Sequence, residues 1–385
     1  MRIALATSSY PPYFGGVEEH VRNVARQLTA RGHEVVVWTV ARDGRFAVRE
    51  VDGIEVWDLP APLPSRSAAG VLRFLVRLPR AVLAWLRAAR SARPEVIHVH
   101  CFGPNGTYAR LLAGLGRTPL VLTAHGETLM DDGGVFDSSA LARASLRAAL
   151  TDAAAVTACS QVVVVDLEQR FGLAPGRGRI VWNGIDPDEP IGEKPAGVPE
   201  RYIAAIGRLV PLKGFDLLVD AFAAADLPEE CALVIGGGGT EAEALRARAI
   251  ELGVSDRVIL PGRLDRPSVS ALLSGAAVSV MPSRFEAFGI AALEAWRAGV
   301  PLLATTRGGP PEFVTDGQDG LLRDPEDTPA FARALTELLA DREAAARLAQ
   351  NGHARIAAFT WEATASGYES IYRDVSRPPV AAARA

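Results

Sequence analysis

Lysine is scarce in this sequence of 385 residues, although arginine is abundant. Lys194 and Lys213 are the two lysines among 41 basic residues. GC-rich codon usage explains such a composition, so a lysine kept inside a motif suggests that a compact ammonium group is needed there. The net charge of −4 gives no indication of nucleic-acid binding, and we expect no nucleic-acid partner.

Cysteine and long apolar runs are also scarce. Cys101, Cys159 and Cys231 are widely spaced and form no CxxC pair, which favours reduced thiols over a disulfide framework or a structural zinc site. No apolar run reaches the roughly 18 residues that a membrane span needs. The first apolar run, 3-IALA-6, is too short for a signal peptide. We therefore expect a cytoplasmic protein.

Short apolar, β-branched runs alternate with helix-like segments along most of the chain. The first series is 2-RIALAT-7, 34-EVVVWT-39, 54-IEVWDL-59, 96-VIHVH-100, 119-PLVLTAH-125, 154-AAVTAC-159 and 179-RIVWN-183, and the second is 202-YIAAIGR-208, 231-CALVIGG-237, 257-RVILPG-262, 278-VSVMPS-283 and 302-LLATT-306. Such strands predict parallel sheets covered by helices on both faces. The fold class is therefore α/β, with two Rossmann-like, doubly wound domains.

A proline-rich segment separates the two series. It predicts an N-terminal domain at 1–187, a linker at 188–200 and a C-terminal domain at 201–360, with helical segments toward the end of the chain. Ligands of doubly wound sheets bind at the carboxyl ends of the strands. We therefore expect the ligand site in a cleft between two facing domains.

Three turns that follow strands carry candidate ligand-binding groups. Gly15 and Gly16 follow the first strand and open a helix, where backbone N–H groups favour an anion. Arg208 and Lys213 follow the first strand of the second domain and suit a diphosphate. His125 ends a strand and could bind a hydroxyl group or share a proton. The alternative for the Gly15–Gly16 turn is an ordinary strand–helix turn. The alternative for the Arg208–Lys213 turn is a solvated basic turn.

Two carboxylates, Glu286 and Glu294, lie in the mostly apolar stretch 284-RFEAFGIAALEAW-296. A glycosidase pair must flank the scissile bond from two sides, whereas these two glutamates belong to one turn and the helix after it. Acceptor groups on one wall are better suited to binding vicinal hydroxyls. We therefore interpret the pair as a sugar clamp.

Several other features have competing interpretations. His98 and His100 could be half of a metal site, but a third ligand is not evident, so His98 is assigned to the core and His100 is left open. Asp186 and Asp188 form a DxD pattern that we assign to solvated linker charge. The basic amphipathic segment 68–90 is either a crossover helix, kinked at Pro79, or a peripheral membrane contact.

The ordered motifs resemble retaining glycosyltransferases of family 4, which have the GT-B fold. The hallmark is the Glu-x7-Glu pattern 286-EAFGIAALE-294. The other matching motifs, in chain order, are 15-GG-16, 98-HVH-100, 125-HG-126, 183-NGID-186, 207-GRLVPLKG-214, 308-GG-309 and 320-GLL-322. The segment 361–377 is similar to the last helix of the family, which crosses back onto the first domain. The loop 235-IGGGGT-240 departs from the family pattern, which more often has an acidic residue after the first glycine.

The resemblance implies a role for each matched residue. Gly16, in the turn with Gly15, would hold the donor diphosphate through its N–H group, and His125 would contact the donor sugar near the anomeric carbon. Arg208 and Lys213 would neutralise the departing nucleotide diphosphate, without a metal or another cofactor. The donor sugar would be contacted by Glu286 and the residues after it, Phe288, Gly289 and Ile290. Glu294 would bind the ribose, and Arg263 and Leu264 would contact the base.

The function implied is transfer of a sugar, with retention, from a nucleotide-diphosphate sugar to an acceptor hydroxyl. UDP-sugars are the favoured donors and GDP-sugars the next. The acceptor stays open among a lipid-linked saccharide, an inositol phosphate, a small aglycone and a polymer. A nucleotide-sugar epimerase of the same fold and a non-catalytic nucleotide-sugar binder are the alternatives.

Overall fold

A computed structural model describes residues 1–13, 15–64, 67–131 and 133–376 of the chain. Contacts between residues divide it into two compact units. The first comprises Met1–Asn183 and the C-terminal segment from Trp361, and the second is Gly184–Thr360. The segment predicted as a linker, 188–200, thus lies within the second unit, because Glu189 and Gly192 bond to the first turn of a helix there.

The first unit is built on a sheet of eight strands in the order β3-β4-β2-β1-β5-β6-β7-β8. Its strands are β1 (Arg2–Thr7), β2 (Glu34–Val40), β3 (Ala47–Val51), β4 (Ile54–Leu59), β5 (Val96–His100), β6 (Leu120–Ala124), β7 (Ala155–Ala158) and β8 (Gly178–Ile180). All neighbouring pairs are parallel except β3 and β4. The antiparallel edge strand β3 was not predicted, because its sequence, 47-AVREV-51, alternates apolar and charged residues instead of forming an apolar run.

Helices cover both faces of this sheet. In chain order they are α1 (Gly16–Ala30), α2 (Ala68–Ala92), α3 (Pro104–Gly116), α4 (Val135–Ser138), α5 (Ala140–Asp152), α6 (Gln161–Phe171) and, at the end of the chain, α13 (Trp361–Ser376). Helices α1 and α13 share one apolar core with the sheet, in which Leu5, Val21 and Tyr372 are fully buried. On the other face Trp85 of α2 packs edge-on against Trp38. The last position of the predicted segment 361–377 lies outside the described residues.

The second unit is a parallel sheet of six strands in the order β11-β10-β9-β12-β13-β14. Its strands are β9 (Tyr202–Ile206), β10 (Ala232–Gly236), β11 (Val258–Gly262), β12 (Val278–Met281), β13 (Leu302–Thr305) and β14 (Leu321–Arg323). Its helices are α7 (Phe215–Ala224), α8 (Ala242–Glu251), α9 (Arg266–Ser274), α10 (Ile290–Ala298), α11 (Thr328–Ala340) and α12 (Arg342–Arg355). The consecutive residues Tyr202 and Ile203 of β9 belong to cores on opposite faces, as a doubly wound sheet requires.

Both sheets have the strand order that creates a ligand-binding crevice. In each one the chain runs outward from a central strand and then returns to its other side, at β1/β5 in the first unit and β9/β12 in the second. Ligands of open parallel sheets bind beyond the carboxyl ends of the strands at such reversals. The prediction of two Rossmann-like α/β sheets is confirmed, whereas a cleft between them stays a prediction.

Candidate active site

In the second unit the turns that follow β9 and β12 are bonded to each other beyond the reversal point. The Arg284 N–H donates to the Leu212 carbonyl at 2.9 Å, and the Arg284 guanidinium bonds Pro211 O and both carboxylate oxygens of Asp216. Gly214 has a φ of +64°, and a side chain there would collide with the Pro282 carbonyl. Glycine is therefore required for the two turns to approach this closely.

This contact brings Lys213 and Glu286 together, although they are 73 residues apart in the chain. Lys213 Nζ lies 2.5 Å from Glu286 Oε2, which also accepts a hydrogen bond of 3.1 Å from Ser283 Oγ. The two side chains are 19% and 8% exposed, so this ion pair is largely removed from water. Such a pair is stabilising only while both partners are present, because a single buried charge would be uncompensated.

The paired glycines 308-GG-309 hold the Glu286 turn in place from the other side. The Glu286 N–H donates to the Arg307 carbonyl at 3.2 Å, and the Gly309 N–H donates to the Glu286 carbonyl at 2.8 Å. Gly308 has a φ of +104°, and a side chain there would overlap the Glu286 backbone. This motif therefore fixes the position of the Glu286 main chain.

Glu294 lies two turns away on α10 and is also paired with a cation. Its Oε1 atom lies 2.5 Å from an Arg266 guanidinium nitrogen, and its side chain is 7% exposed. Arg266 also binds both carboxylate oxygens of Glu189, which in turn accepts from Arg297 at 3.0 Å. Burial raises the pKa of Glu189, but the bonds from Arg266 and Arg297 outweigh it and lower the pKa overall.

The residues between the two glutamates form the start of α10. Gly289 precedes the helix with a φ of +102°, and Ile290 is its first residue. Phe288 is buried and stacks on Phe313 with ring centroids 4.8 Å apart. The first N–H groups of a helix have no partners within it and carry partial positive charge. This region can therefore bind an oxygen-rich or anionic group next to Glu286.

Arg208 follows β9, whereas Arg263 and Leu264 follow β11, which is separated from β9 by β10 in the sheet. Arg208 and Arg263 are exposed, whereas Leu264 packs against the core on one face of the sheet. The glycine-rich loop 236–240 bonds to the Arg208 turn, since Leu209 donates to Gly238 O at 3.0 Å and accepts from the Glu241 N–H at 3.0 Å. Nine predicted site residues thus lie at the same edge of this sheet.

The other three predicted residues, Gly15, Gly16 and His125, belong to the first unit. Gly16 is the first residue of α1, and Gly15 precedes it with extended backbone angles. The Glu18 carboxylate lies beside Gly15, at the same helix end that is predicted to bind a phosphate. A phosphate bound there would have to displace this carboxylate.

His125 belongs to a cluster of four histidines at the carboxyl ends of β5 and β6. Its Nε2 atom lies 3.2 Å from Nδ1 of His100, which is fully buried and whose other nitrogen has no hydrogen-bond partner among the described residues. His20 donates from Nδ1 to the Asn183 side-chain oxygen at 2.8 Å, so its Nε2 accepts from the Tyr368 hydroxyl at 3.0 Å. Burial lowers the pKa values of His98, His100 and His125, and it lowers that of His20 to about 4.

The cluster includes three ligand atoms that could hold a metal ion. One nitrogen from each of His20, His100 and His125 lies within 4.8 Å of the others, whereas His98 bonds Tyr372 and Thr123 through its two nitrogens. A bound zinc ion would need metal–nitrogen distances of about 2.0–2.1 Å, so the rings would have to move closer and His20 would lose a hydrogen bond. The cluster as it stands is a hydrogen-bonded network of neutral rings.

Glu127 joins the turns that follow β5 and β6. Its two oxygens accept the Phe102 and His125 backbone N–H groups, each at 2.7 Å. Burial raises the pKa of this carboxyl, although the N–H bonds oppose the shift. Glu127 therefore fixes the position of the His125 backbone, and with it the position of the His125 ring.

The sequence analysis did not single out several of these residues. They are His20, Glu127, Glu189, Arg266 and Ser283. His20 and Glu127 carry a usable signal, since each is a polar residue beside a predicted strand end or glycine-rich turn. Arg266 and Glu189 carry none, because their pairing joins two segments 77 residues apart. The DxD residues Asp186 and Asp188 are exposed, and the Asp188 N–H donates to the Asp186 carboxylate.

Comparisons with known proteins cover nearly the whole chain. Residues 14–189 match the family model described as Glycosyltransferase Family 4, and residues 189–355 match Glycosyl transferases group 1. A D-inositol 3-phosphate glycosyltransferase of Acidothermus cellulolyticus is 32% identical over 94% of this chain and 86% of its own length.

Solved structures show the same fold. A sucrose-phosphate synthase from Thermosynechococcus elongatus has 25% identity and a TM-score of 0.79, with 97% of this chain and 98% of that chain covered. Anabaena HepE, solved in complex with UDP, has 22% identity and a TM-score of 0.75, with 97% and 100% covered. The chain belongs to glycosyltransferase family 4, and it is a glycosyltransferase with the GT-B fold.

Proposed function

We propose that the protein transfers a hexosyl group from a nucleotide-diphosphate sugar to an acceptor hydroxyl, with retention at the anomeric carbon and without a metal ion. The ion pair between Lys213 and Glu286 carries this proposal. It places an ammonium group and a carboxylate side by side at the strand reversal of the second unit, next to the first N–H groups of α10.

The pair is suited to being exchanged for a donor. A diphosphate is a better partner for Lys213 than a single carboxylate, because it carries more charge and more acceptor oxygens. Glu286, released from the ammonium group, accepts hydrogen bonds from vicinal sugar hydroxyls. Each buried charge thereby gains a new partner when the donor binds, so neither is left uncompensated.

Glu294 has a corresponding role at the ribose. Its carboxylate accepts from Arg266 in the described structure and would accept from ribose hydroxyls in the complex. Glu189 holds Arg266 by two further contacts, so the guanidinium stays neutralised when Glu294 turns to the ribose.

The chemistry that these residues support needs no metal. The bond between the anomeric carbon and the phosphate oxygen breaks as the acceptor oxygen bonds to the same face of that carbon. The electron pair of the broken bond stays on the phosphate, where Arg208 and Lys213 stabilise it, and a phosphate oxygen takes the acceptor proton.

UDP-sugars are the first donors to test, with GDP-sugars next, because HepE shares the fold and was solved with UDP. Phosphorylated polyols such as an inositol phosphate are the first acceptors to test, because the Acidothermus relative is named for that substrate. The lipid-linked, aglycone and polymer acceptors form the rest of the panel.

The test has two stages. Thermal shift measurements with UDP, GDP and ADP identify the nucleotide, and a product assay with the matching sugars then uses the acceptor panel with and without EDTA. We expect product with a retained anomeric configuration by proton NMR, equal rates in EDTA, and loss of turnover in Glu286→Ala and Lys213→Ala.

Three outcomes would contradict the proposal. Loss of activity in EDTA that a divalent metal restores would refute the metal-free mechanism. Conversion of the donor without any acceptor would indicate an epimerase. Tight donor binding with no product from any acceptor would indicate a nucleotide-sugar binder.

A further inference from the structure

Helix α2 (Ala68–Ala92) has two opposite apolar faces, of which the fold uses one. Ala81, Ala84, Trp85 and Ala88 are its buried residues, and the Trp85 ring N–H donates to the Pro60 carbonyl at 3.0 Å. All four lie in the second half of the helix. The first half, 68–80, has no buried residue, and its half-buried positions are Gly70, Phe74 and Leu78. The helix continues through Pro79.

The outer face carries large aliphatic side chains that are mostly exposed to solvent. Leu72, Val76 and Leu83 are 64%, 67% and 64% exposed. At about 100° per residue they point in nearly the same direction, opposite to Trp85, and they span about 16 Å along the axis. Leu75, which is 54% exposed, and Pro79 extend this stripe on one side. A surface helix normally has polar residues on this face, so the stripe needs a partner.

Arginines border the stripe, and acidic residues are absent from the helix. Arg73, Arg80 and Arg87 recur every seven residues along one edge, with Arg77 and Arg90 close by. All five are exposed, and within the described residues none of them forms an ion pair. On α8 and α12, by contrast, Arg246 has the acidic partner Glu243 and Arg347 has Glu343.

We propose that this surface, defined by Leu72, Leu75, Val76, Pro79 and Leu83 with the edge of Arg73, Arg80 and Arg87, docks on an anionic lipid bilayer. The aliphatic side chains would insert between headgroups, while the arginine stems extend so that the guanidinium groups reach the lipid phosphates. A second copy of the chain does not fit, because two such surfaces would bring their six arginines together, and α2 has no carboxylate to pair with them.

The test is co-flotation of the full chain with vesicles of phosphatidylglycerol and phosphatidylcholine, compared with phosphatidylcholine alone. We expect binding to the mixed vesicles that weakens at least about tenfold between low and high salt, because surface charges are screened. Little or no binding to phosphatidylcholine alone is expected, since a few inserted side chains need charge attraction as well.

Two triple variants separate the two components. Arg73→Glu with Arg80→Glu and Arg87→Glu should lower the affinity for mixed vesicles by about a hundredfold or more. Its control makes the same charge change at the exposed residues Arg333, Arg342 and Arg347 of α11 and α12. Leu72→Ser with Val76→Ser and Leu83→Ser removes the stripe. Its control makes the same change at the exposed residues Leu141, Ile191 and Ile250.

The variants are on the protein surface, so unchanged thermal unfolding confirms that the fold is intact. Equal vesicle binding by the α2 variants and their controls would overturn the proposal, as would binding that is independent of lipid charge. A wild-type dimer in sedimentation analysis that the serine variant converts to a monomer would assign the surface to a second copy instead. None of these outcomes bears on sugar transfer, which is assayed with soluble substrates.

Discussion

The ion pair between Lys213 and Glu286 should hold the β9 and β12 turns together as well as bind the donor. In Lys213→Met the Glu286 carboxylate keeps one neutral donor, Ser283 Oγ, in a site where the glutamate side chain is 8% exposed. Breaking a fully buried pair costs about 3–5 kcal/mol. Because Lys213 is partly exposed, we expect a loss of about 3 kcal/mol.

The double variant should recover most of this loss. Glu286→Gln alone should cost about 1 kcal/mol, since Lys213 can extend toward water. Lys213→Met with Glu286→Gln has no unpaired charge, so it should be about as stable as Glu286→Gln, which gives a coupling free energy of about 2–3 kcal/mol. It should nevertheless have no transferase activity, because the ammonium group and the carboxylate are both gone.

Unfolding of the second unit can be followed separately from the first. Trp296 is the one tryptophan in Gly184–Thr360, so its 5-fluorotryptophan resonance reports urea unfolding of that unit. The matched control is the cycle of Arg246→Met and Glu243→Gln, an ion pair whose side chains are 50% and 88% exposed. Its coupling should stay below about 0.5 kcal/mol. Equal coupling in the two cycles would refute the structural role of the Lys213 pair.

Two further predictions follow from the geometry of the two units. Gly308→Ala should destabilise the second unit by at least about 2 kcal/mol more than Gly317→Ala, because both glycines have positive φ but the Gly308 side chain alone would meet the Glu286 backbone. Urea unfolding measures both, and equal losses would contradict the clash. His20 has a pKa of about 4 when folded, against 6.5 when exposed, so the unfolded chain takes up its proton first as the pH falls. The first unit should therefore lose about 3 kcal/mol from His20 between pH 6.5 and 4, and His20→Gln should flatten that part of the pH profile; an unchanged slope would show that His20 is not buried neutral.

Strand positions were accessible from the sequence because buried parallel strands are continuous apolar runs. The segment 54-IEVWDL-59 coincides with β4, and most other runs agree to within one or two residues. Predictions failed where that signal is missing. Strand β3 is an alternating edge strand, and only Arg179 and Ile180 of the run 179-RIVWN-183 belong to β8. The helical segments expected toward the end of the chain include α11 and α12, which meet at Asp341, and the Asp341 carboxylate caps the start of α12.

Individual site residues could be named from the chain because strand ends and glycine-rich turns are local features. Their partners could not. Lys213 was expected to face a diphosphate, and the structure pairs it with Glu286, because a buried carboxylate needs a cation beside it. Arg266 and Glu189 were not predicted as site residues, because an arginine at a helix start and a glutamate in a proline-rich loop are common on protein surfaces.

The order of apolar runs, glycine turns and charged residues was sufficient to predict the α/β class, the two sheets and the strand ends where chemistry is expected. These properties depend on hydrophobic periodicity and local backbone preferences, which are determined by residues close together in the sequence. Tertiary packing was needed to pair Lys213 with Glu286 and to bring His20 beside His125. It was also needed to show that α2 covers the sheet with one apolar face and leaves the other exposed. Such outcomes depend on contacts between distant segments, for which neighbouring residues carry no signal.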